Sequence, residues 1–194
     1  RNPPRPGRSN SNYRRSVARP EITGAGQPRF TPDNRPRSRD AVNWLAPSMV
    51  DAHCLDCFAG SGALGLEALS RYAASATLLE MERGVAQTLQ QNLATLKASN
   101  AKVVNTNTLS FLAQKGTPHQ VVFVDPPFRK GLLEETLSLL EQNGWLADDA
   151  FNFTFESEVE NGLPSVPAHW DLHREKVAGQ VAYRLLSPSG TRRL

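Results

Sequence analysis

Ten residues constrain this chain more than any others: Asp56-Cys57-Phe58-Ala59-Gly60-Ser61-Gly62-Ala63-Leu64-Gly65. They begin at the end of an apolar run and open an amphipathic stretch, Ala63 to Arg71. Strand, glycine turn, helix is the context that a nucleotide-type loop requires. Gly60 and Gly62 let the backbone bend sharply and approach a ligand closely. Gly65 lets the helix pack tightly on a sheet. The spacing is literally G-x-G-x-x-G. Glu80 stands 20 residues after Gly60, at the end of the next apolar run, Ala76-Thr77-Leu78-Leu79. There an acid can hold a ribose diol.

The rest of the chain alternates strands and helices around this turn. Asp40–Leu45 reads as a short helix ended by Ala46-Pro47. Strands are expected at His53–Phe58, Ala76–Glu80, Lys102–Asn105, Gln120–Val124 and Phe151–Glu156. Helices are expected at Gly62–Arg71, Arg83–Lys97, Leu109–Gln114 and Leu132–Gln142. Val85, Leu89, Leu93 and Leu96 recur at helical spacing in the second of these. Leu172–Val177 and Val181–Leu186 flank Ala178-Gly179-Gln180 and read as a hairpin. Such alternation argues for an α/β fold with a mostly parallel sheet covered on both faces. The closing hairpin supplies an antiparallel edge. Ligands of such sheets bind at the carboxyl ends of the strands, near the point where strand order reverses. Phe58–Gly62, Glu80, Asn107 and Asp125 all follow strand ends, so they converge in one crevice.

Asp125-Pro126-Pro127-Phe128 follows the buried run Val121-Val122-Phe123-Val124. It combines a carboxylate, a stiff turn with free carbonyls and a flat ring. Proline fixes φ and lacks an N–H, which makes the turn rigid. The set suits a flat nucleobase bearing an exocyclic amine: the ring of Phe128 stacks on the base, and the carboxylate and a backbone carbonyl accept from the N–H₂. Alone, Asp-Pro-Pro is also an ordinary strand-to-loop turn.

Together these motifs resemble the S-adenosylmethionine-dependent methyltransferases of nucleobase amines. More specifically, the chain resembles the RsmD-type family of bacterial 16S ribosomal-RNA guanine-(N2)-methyltransferases. The resemblance rests on Asn43-Trp44-Leu45-Ala46-Pro47, the segment from Cys54 to Ala68, Asp125-Pro126-Pro127-Phe128-Arg129 and Glu156-Ser157-Glu158. It covers residues 43 to 186. It implies a Rossmann-like seven-stranded sheet, mostly parallel with a C-terminal antiparallel hairpin. It also implies S-adenosylmethionine as cofactor and a guanine of 16S ribosomal RNA, in the small subunit or its assembly intermediate, as substrate. Gly60, Ser61 and Gly62 then floor the methionine part of the cofactor, with Asp56 and Phe58 placing its amino and carboxylate groups. Glu80 takes the ribose hydroxyls and Met81 packs on the adenine. Asn107 and Thr108 occupy the position that receives the adenine amine, where the family often has Asp. Asp125, Pro126, Pro127 and Phe128 hold the target amine, and Asp125 also borders the cofactor. Arg129 and Lys130 lie beside them, within reach of flanking phosphates. The family's usual basic hairpin and Arg-Pro-Thr element have only an echo here, Arg35-Pro36 and Arg37-Ser38-Arg39-Asp40.

Charge divides the chain. Residues 1–46 carry ten arginines against Glu21, Asp33 and Asp40, a net of +7, while the remainder carries a net of −4. The first part reads as a basic Arg/Pro-rich extension over 1–46 that grips RNA or stays partly disordered. The methyltransferase domain then runs over 47–194. No apolar run reaches the roughly 20 residues of a membrane span, and no signal peptide is evident, so the expectation is a cytoplasmic monomer. Cys54 and Cys57 have C-x-x-C spacing, but strand positions three apart point to opposite faces. Buried structural thiols, with no metal, are the expectation. Three rival readings remain: an adenine-N6 methyltransferase on DNA or RNA, a nicotinamide-dependent oxidoreductase, and a non-enzymatic RNA-binding module. The Asp-Pro-Pro-Phe turn is unexplained by the second, and the intact motifs argue against the third.

Overall fold

A computed structural model describes residues 43–127, 131–157 and 169–188. The first described element is a helix over 43–49 (α1). Strands follow at His53–Asp56 (β1), Ser75–Glu80 (β2), Ala101–Asn105 (β3), His119–Val124 (β4), Leu146–Ser157 (β5), Trp170–Ala178 (β6) and Val181–Pro188 (β7). Helices lie between them at Ala63–Ser70 (α2), Arg83–Thr95 (α3), Thr108–Leu112 (α4) and Leu132–Gln142 (α5). The seven strands form one sheet in the order β3-β2-β1-β4-β5-β7-β6. The first five strands pair in parallel, and β7 runs antiparallel to both β5 and β6. Strand order reverses between β1 and β4, so the switch point falls beside both motifs.

Alternation along the central strands builds two cores. Cys54, Leu78, Val121, Phe123 and Phe153 face one, with Leu64, Leu66, Leu89 and Leu93 from α2 and α3. Leu55, Cys57, Leu79, Val122 and Val124 face the other, with Leu133, Leu137 and Leu140 from α5. The two cysteines are free and lie in different cores. Burial raises both thiols, that of Cys54 to about 12.

Most element ends differ from the sequence reading by one or two residues, and three differences have a clear physical cause. The first helix does not stop at Ala46-Pro47 but continues to residue 49. Leu45 and Met49, four residues apart, are both buried, and this packing holds the turn while Pro47 stays on the exposed side. Residues 46 and 47 therefore both lie within one helix. β1 ends at Asp56, because the loop backbone turns away there: the Cys57 N–H donates to the Phe123 carbonyl and the Ala59 N–H to the Leu79 carbonyl. β5 begins at Leu146, earlier than Phe151. Its pairing with β4 shifts register between His119 and Val121. The exposed pair Asp148-Asp149 lies in that irregular stretch and masks the strand pattern. The predicted hairpin is present, with Gly179 at φ 62° in its turn.

Candidate functional site

The carboxyl ends of four parallel strands meet over a cavity of about 200 Å³. Its walls are Phe58 after β1, Leu79, Glu80, Met81 and Glu82 around the end of β2, Asn107, Thr108 and Leu109 at the start of α4, Pro127 after β4, and Leu132 of α5. Five expected site residues, Phe58, Glu80, Met81, Asn107 and Thr108, thus line it together with Pro127 of the turn. Asp56, Gly60, Ser61, Gly62, Asp125 and Pro126 are not among its wall residues. Phe128, Arg129 and Lys130 lie outside the described residues, as do Glu158 and residues 1–42 of the arginine-rich start.

The glycine turn is tied to Glu80. Gly60, at φ 54°, donates its N–H to Glu80 Oε1 at 3.0 Å. The Glu82 N–H donates to Oε2 at 2.8 Å. Each carboxylate oxygen has more than one acceptor site, so Glu80 is anchored and still able to accept from a diol. Gly62, at φ 82°, caps α2. A methyl group placed on it would come within 2.7 Å of Leu89 Cδ2. Interior packing and a left-handed backbone therefore both constrain Gly62. Gly65 behaves as the sequence reading expects: an added carbon there would meet Leu78 Cδ2 at 2.3 Å.

The opposite wall is stapled in place. Asn107 caps α4, its Oδ1 accepting the Ser110 N–H at 3.1 Å. Its Nδ2 approaches Met81 Sδ at 3.7 Å. Met81 itself is 63% exposed, an apolar side chain held at the rim. The buried Thr108 hydroxyl donates to the Cys57 carbonyl, joining α4 to the glycine turn. Asn105 escaped the sequence reading. Its Nδ2 donates to the Glu80 and Met81 carbonyls, both at 2.9 Å. It is level with Glu80 in the β2–β3 register. An amide at the end of a strand beside an acid-bearing one was the signal available. Glu82, Leu79, Leu109 and Leu132 were also missed as wall residues.

Asp56 ends β1 just before the glycine turn. It is 2% exposed. Its Oδ1 accepts the Phe58 N–H at 3.3 Å, while its buried Oδ2 has no hydrogen-bond partner. Burial pushes its carboxyl up to about 7; the Phe58 N–H opposes this, and the charges of Asp125 and Glu80 add to it. Asp125 and Pro126 are half-buried at the end of β4.

Comparison with known proteins bears on this geometry. A family described as conserved hypothetical protein 95 matches residues 30–187. The ribosomal RNA small subunit methyltransferase D of Escherichia coli is 66% identical over 187 residues, covering 87% of this chain and 94% of that protein. The chain belongs to the RsmD-type methyltransferase family. The Haemophilus influenzae protein of the same name is 47% identical over 148 residues, covering 74% of this chain and 75% of its own. Among solved structures, yhhF of Escherichia coli superposes with a TM-score of 0.76 at 72% identity, over 80% of this chain and 88% of that one. The family match spans both the glycine turn and the Asp-Pro-Pro turn.

Proposed function

We propose that this protein transfers a methyl group from S-adenosylmethionine to the exocyclic N2 amine of a guanine in 16S ribosomal RNA. The observation that carries the reading is one crevice walled by the anchored Glu80 at the end of β2 and by Pro127 of the Asp-Pro-Pro turn after β4. The names of the relatives support a small-subunit RNA target. The residues present fit the cofactor. Glu80 offers acceptors for a ribose diol from a carboxylate already oriented by two N–H groups. Met81, Leu109 and Phe58 offer apolar walls for a purine. Asn107 offers amide groups at its edge, its oxygen keeping acceptor capacity beyond the Ser110 N–H. Asp56 and the Gly60–Gly62 turn supply the rest of the binding set. S-adenosylmethionine, when bound, supplies the electrophilic methyl group and the leaving sulfur.

The chain's own contribution is alignment. Guanine N2 is a poor nucleophile, because its lone pair is delocalised into the ring. Asp125 and the Pro126 carbonyl accept its two hydrogens and favour a pyramidal nitrogen with its lone pair directed outward. Such alignment supplies much of the rate. Asp125 also accepts the proton that the methylated amine must lose. Phe128 stacks on the base, an interaction worth about 1–3 kcal/mol, after the nucleotide leaves its stack. The enzyme works as a cytoplasmic monomer on the subunit or its assembly intermediate. Among the described residues no helix is long and apolar enough to cross a membrane.

The test is transfer of labelled methyl from the cofactor to small-subunit particles and to naked RNA, both from cells lacking this protein, followed by nucleoside analysis. N2-methylguanosine is the expected product. N6-methyladenosine would replace this reading with the adenine one, because an Asp-Pro-Pro turn recognises an amine rather than a base.

A further inference from the structure

The chain carries its sulfur in two cysteines, Cys54 and Cys57, and two methionines, Met49 and Met81. Cys54, Cys57 and Met49 are buried in the cores. An oxidant attacks a cysteine through its thiolate, and burial holds both thiols protonated. Met81 is the contrast. It is 63% exposed and follows directly on Glu80 at the end of β2. Its backbone is fixed, because Asn105 Nδ2 donates to its carbonyl at 2.9 Å. Its side chain is a wall of the cavity. Its sulfur stands 3.7 Å from Asn107 Nδ2. A thioether sulfur is only a weak acceptor, whereas a sulfoxide oxygen is a polar one. The solvent-open sulfur of this chain therefore lies in the wall of the site, facing an N–H donor that suits its oxidised form better than its reduced one.

This step rests on the proposed function, with the adenosine of the cofactor against Met81 and Asn107. We propose that Met81 is an oxidation site that switches cofactor binding: a peroxide converts its thioether to the sulfoxide, and the sulfoxide loosens the hold on the adenosine. The sulfur gives two electrons to hydrogen peroxide; the O–O bond breaks, an S–O bond forms, and the second oxygen leaves as water. Two effects follow. The apolar wall becomes polar, and pressing that oxygen against a purine face strips its water without replacing it. The new oxygen also accepts from Asn107 Nδ2, which takes that donor away from the purine edge. Sulfoxide reductases return the thioether, so the change is reversible. Bound cofactor covers Met81, so the occupied enzyme is shielded and the empty enzyme is the form that is switched off.

Treatment of the full chain with dilute hydrogen peroxide, followed by peptide mass spectrometry and calorimetric titration with S-adenosylmethionine, tests this. Met81 should gain one oxygen while Met49, Cys54 and Cys57 stay unmodified. The affinity of the oxidised protein for S-adenosylmethionine should fall by about tenfold or more. Sulfoxide reductases acting on both epimers should restore it. Saturating S-adenosylhomocysteine during treatment should slow the oxidation of Met81 severalfold. Met81→Leu has no sulfur at the rim, so its own affinity should be the same before and after peroxide. Unchanged affinity in protein fully oxidised at Met81 would overturn the switch. So would a peroxide-induced loss in Met81→Leu equal to that of the wild type, or oxidation of Met81 at the same rate with and without S-adenosylhomocysteine. Those three outcomes leave the cofactor assignment standing. Untreated protein that binds no S-adenosylmethionine would overturn the proposed function and the switch together.

Discussion

At the scale of single residues, two acids on the same face have different work. Asp125 is half-buried just after β4 and belongs to neither apolar core. Asp125→Ala should fold normally and bind cofactor with little change, yet lose methyl transfer by orders of magnitude. Single-turnover rates measured beside cofactor affinity separate these effects. Activity within about twofold of wild type would remove the amine-alignment mechanism. Asp56 instead is a liability that the fold carries. Its carboxyl is raised from 3.8 to about 7, chiefly by burial. A group raised on folding favours the folded state fully below its unfolded value, and that contribution is lost as pH rises through its folded value. Asp56→Asn should therefore gain stability relative to wild type as pH rises from 4 to 8, most steeply up to about 7. Urea unfolding across that range reads the difference directly. A gap that does not change with pH would show that Asp56 is already ionised, or that its environment is not carboxylate-rich.

At the scale of elements, the antiparallel edge is clamped by one buried cation. Arg184 on β7 is 2% exposed and donates from Nη1 to Glu156 of β5 at 2.6 Å and from Nε to Glu175 of β6 at 2.7 Å. The clamp ties the end of β5, beside the Asp-Pro-Pro turn, to the closing hairpin. Arg184→Met keeps most of the apolar stem but strands two acids. Breaking a fully buried pair costs about 3–5 kcal/mol. Both carboxylates here keep some solvent, so about 2–3 kcal/mol is expected, read as a lower denaturation midpoint. A change below about 0.5 kcal/mol would mean the acids simply turn to water. The sequence announced the element types around this clamp but not the clamp itself. Val121 to Val124 and Ala76 to Leu79 declare strands by apolar runs, and α3 declares itself by Leu89 and Leu93. Glu156 was visible as part of a motif, but its partner 28 residues away depends on strand pairing. The site was legible in the same uneven way. Glu80 and the glycines follow from local spacing, so they were readable. Asn105 and the Thr108 bond to Cys57 arise from tertiary register, and the Leu89 contact that constrains Gly62 comes from a helix two elements away.

At the scale of the whole molecule, charge is partitioned against chemistry. The carboxyl ends of the parallel strands gather Asp56, Glu80 and Asp125, which would repel an RNA backbone if they met it alone. Ten of the chain's seventeen arginines fall within residues 1–46, and the family match begins at residue 30, inside that region. Phosphate contacts release counterions, so each one steepens the loss of affinity with salt. Such contacts position an RNA without reading its sequence. Removing residues 1–39 should therefore weaken RNA binding and flatten the slope of log affinity against log salt. Cofactor affinity should barely change, because Gly60, Glu80 and Asp125 belong to the sheet and its loops. The nucleotide methylated at high RNA concentration should be the same, since the Asp-Pro-Pro turn, to which the proposed function gives the choice of amine, remains. Equal slopes for the full and shortened chains would move the RNA grip to Arg129, Lys130 and the loops at the strand ends. The arginines would then serve solubility alone.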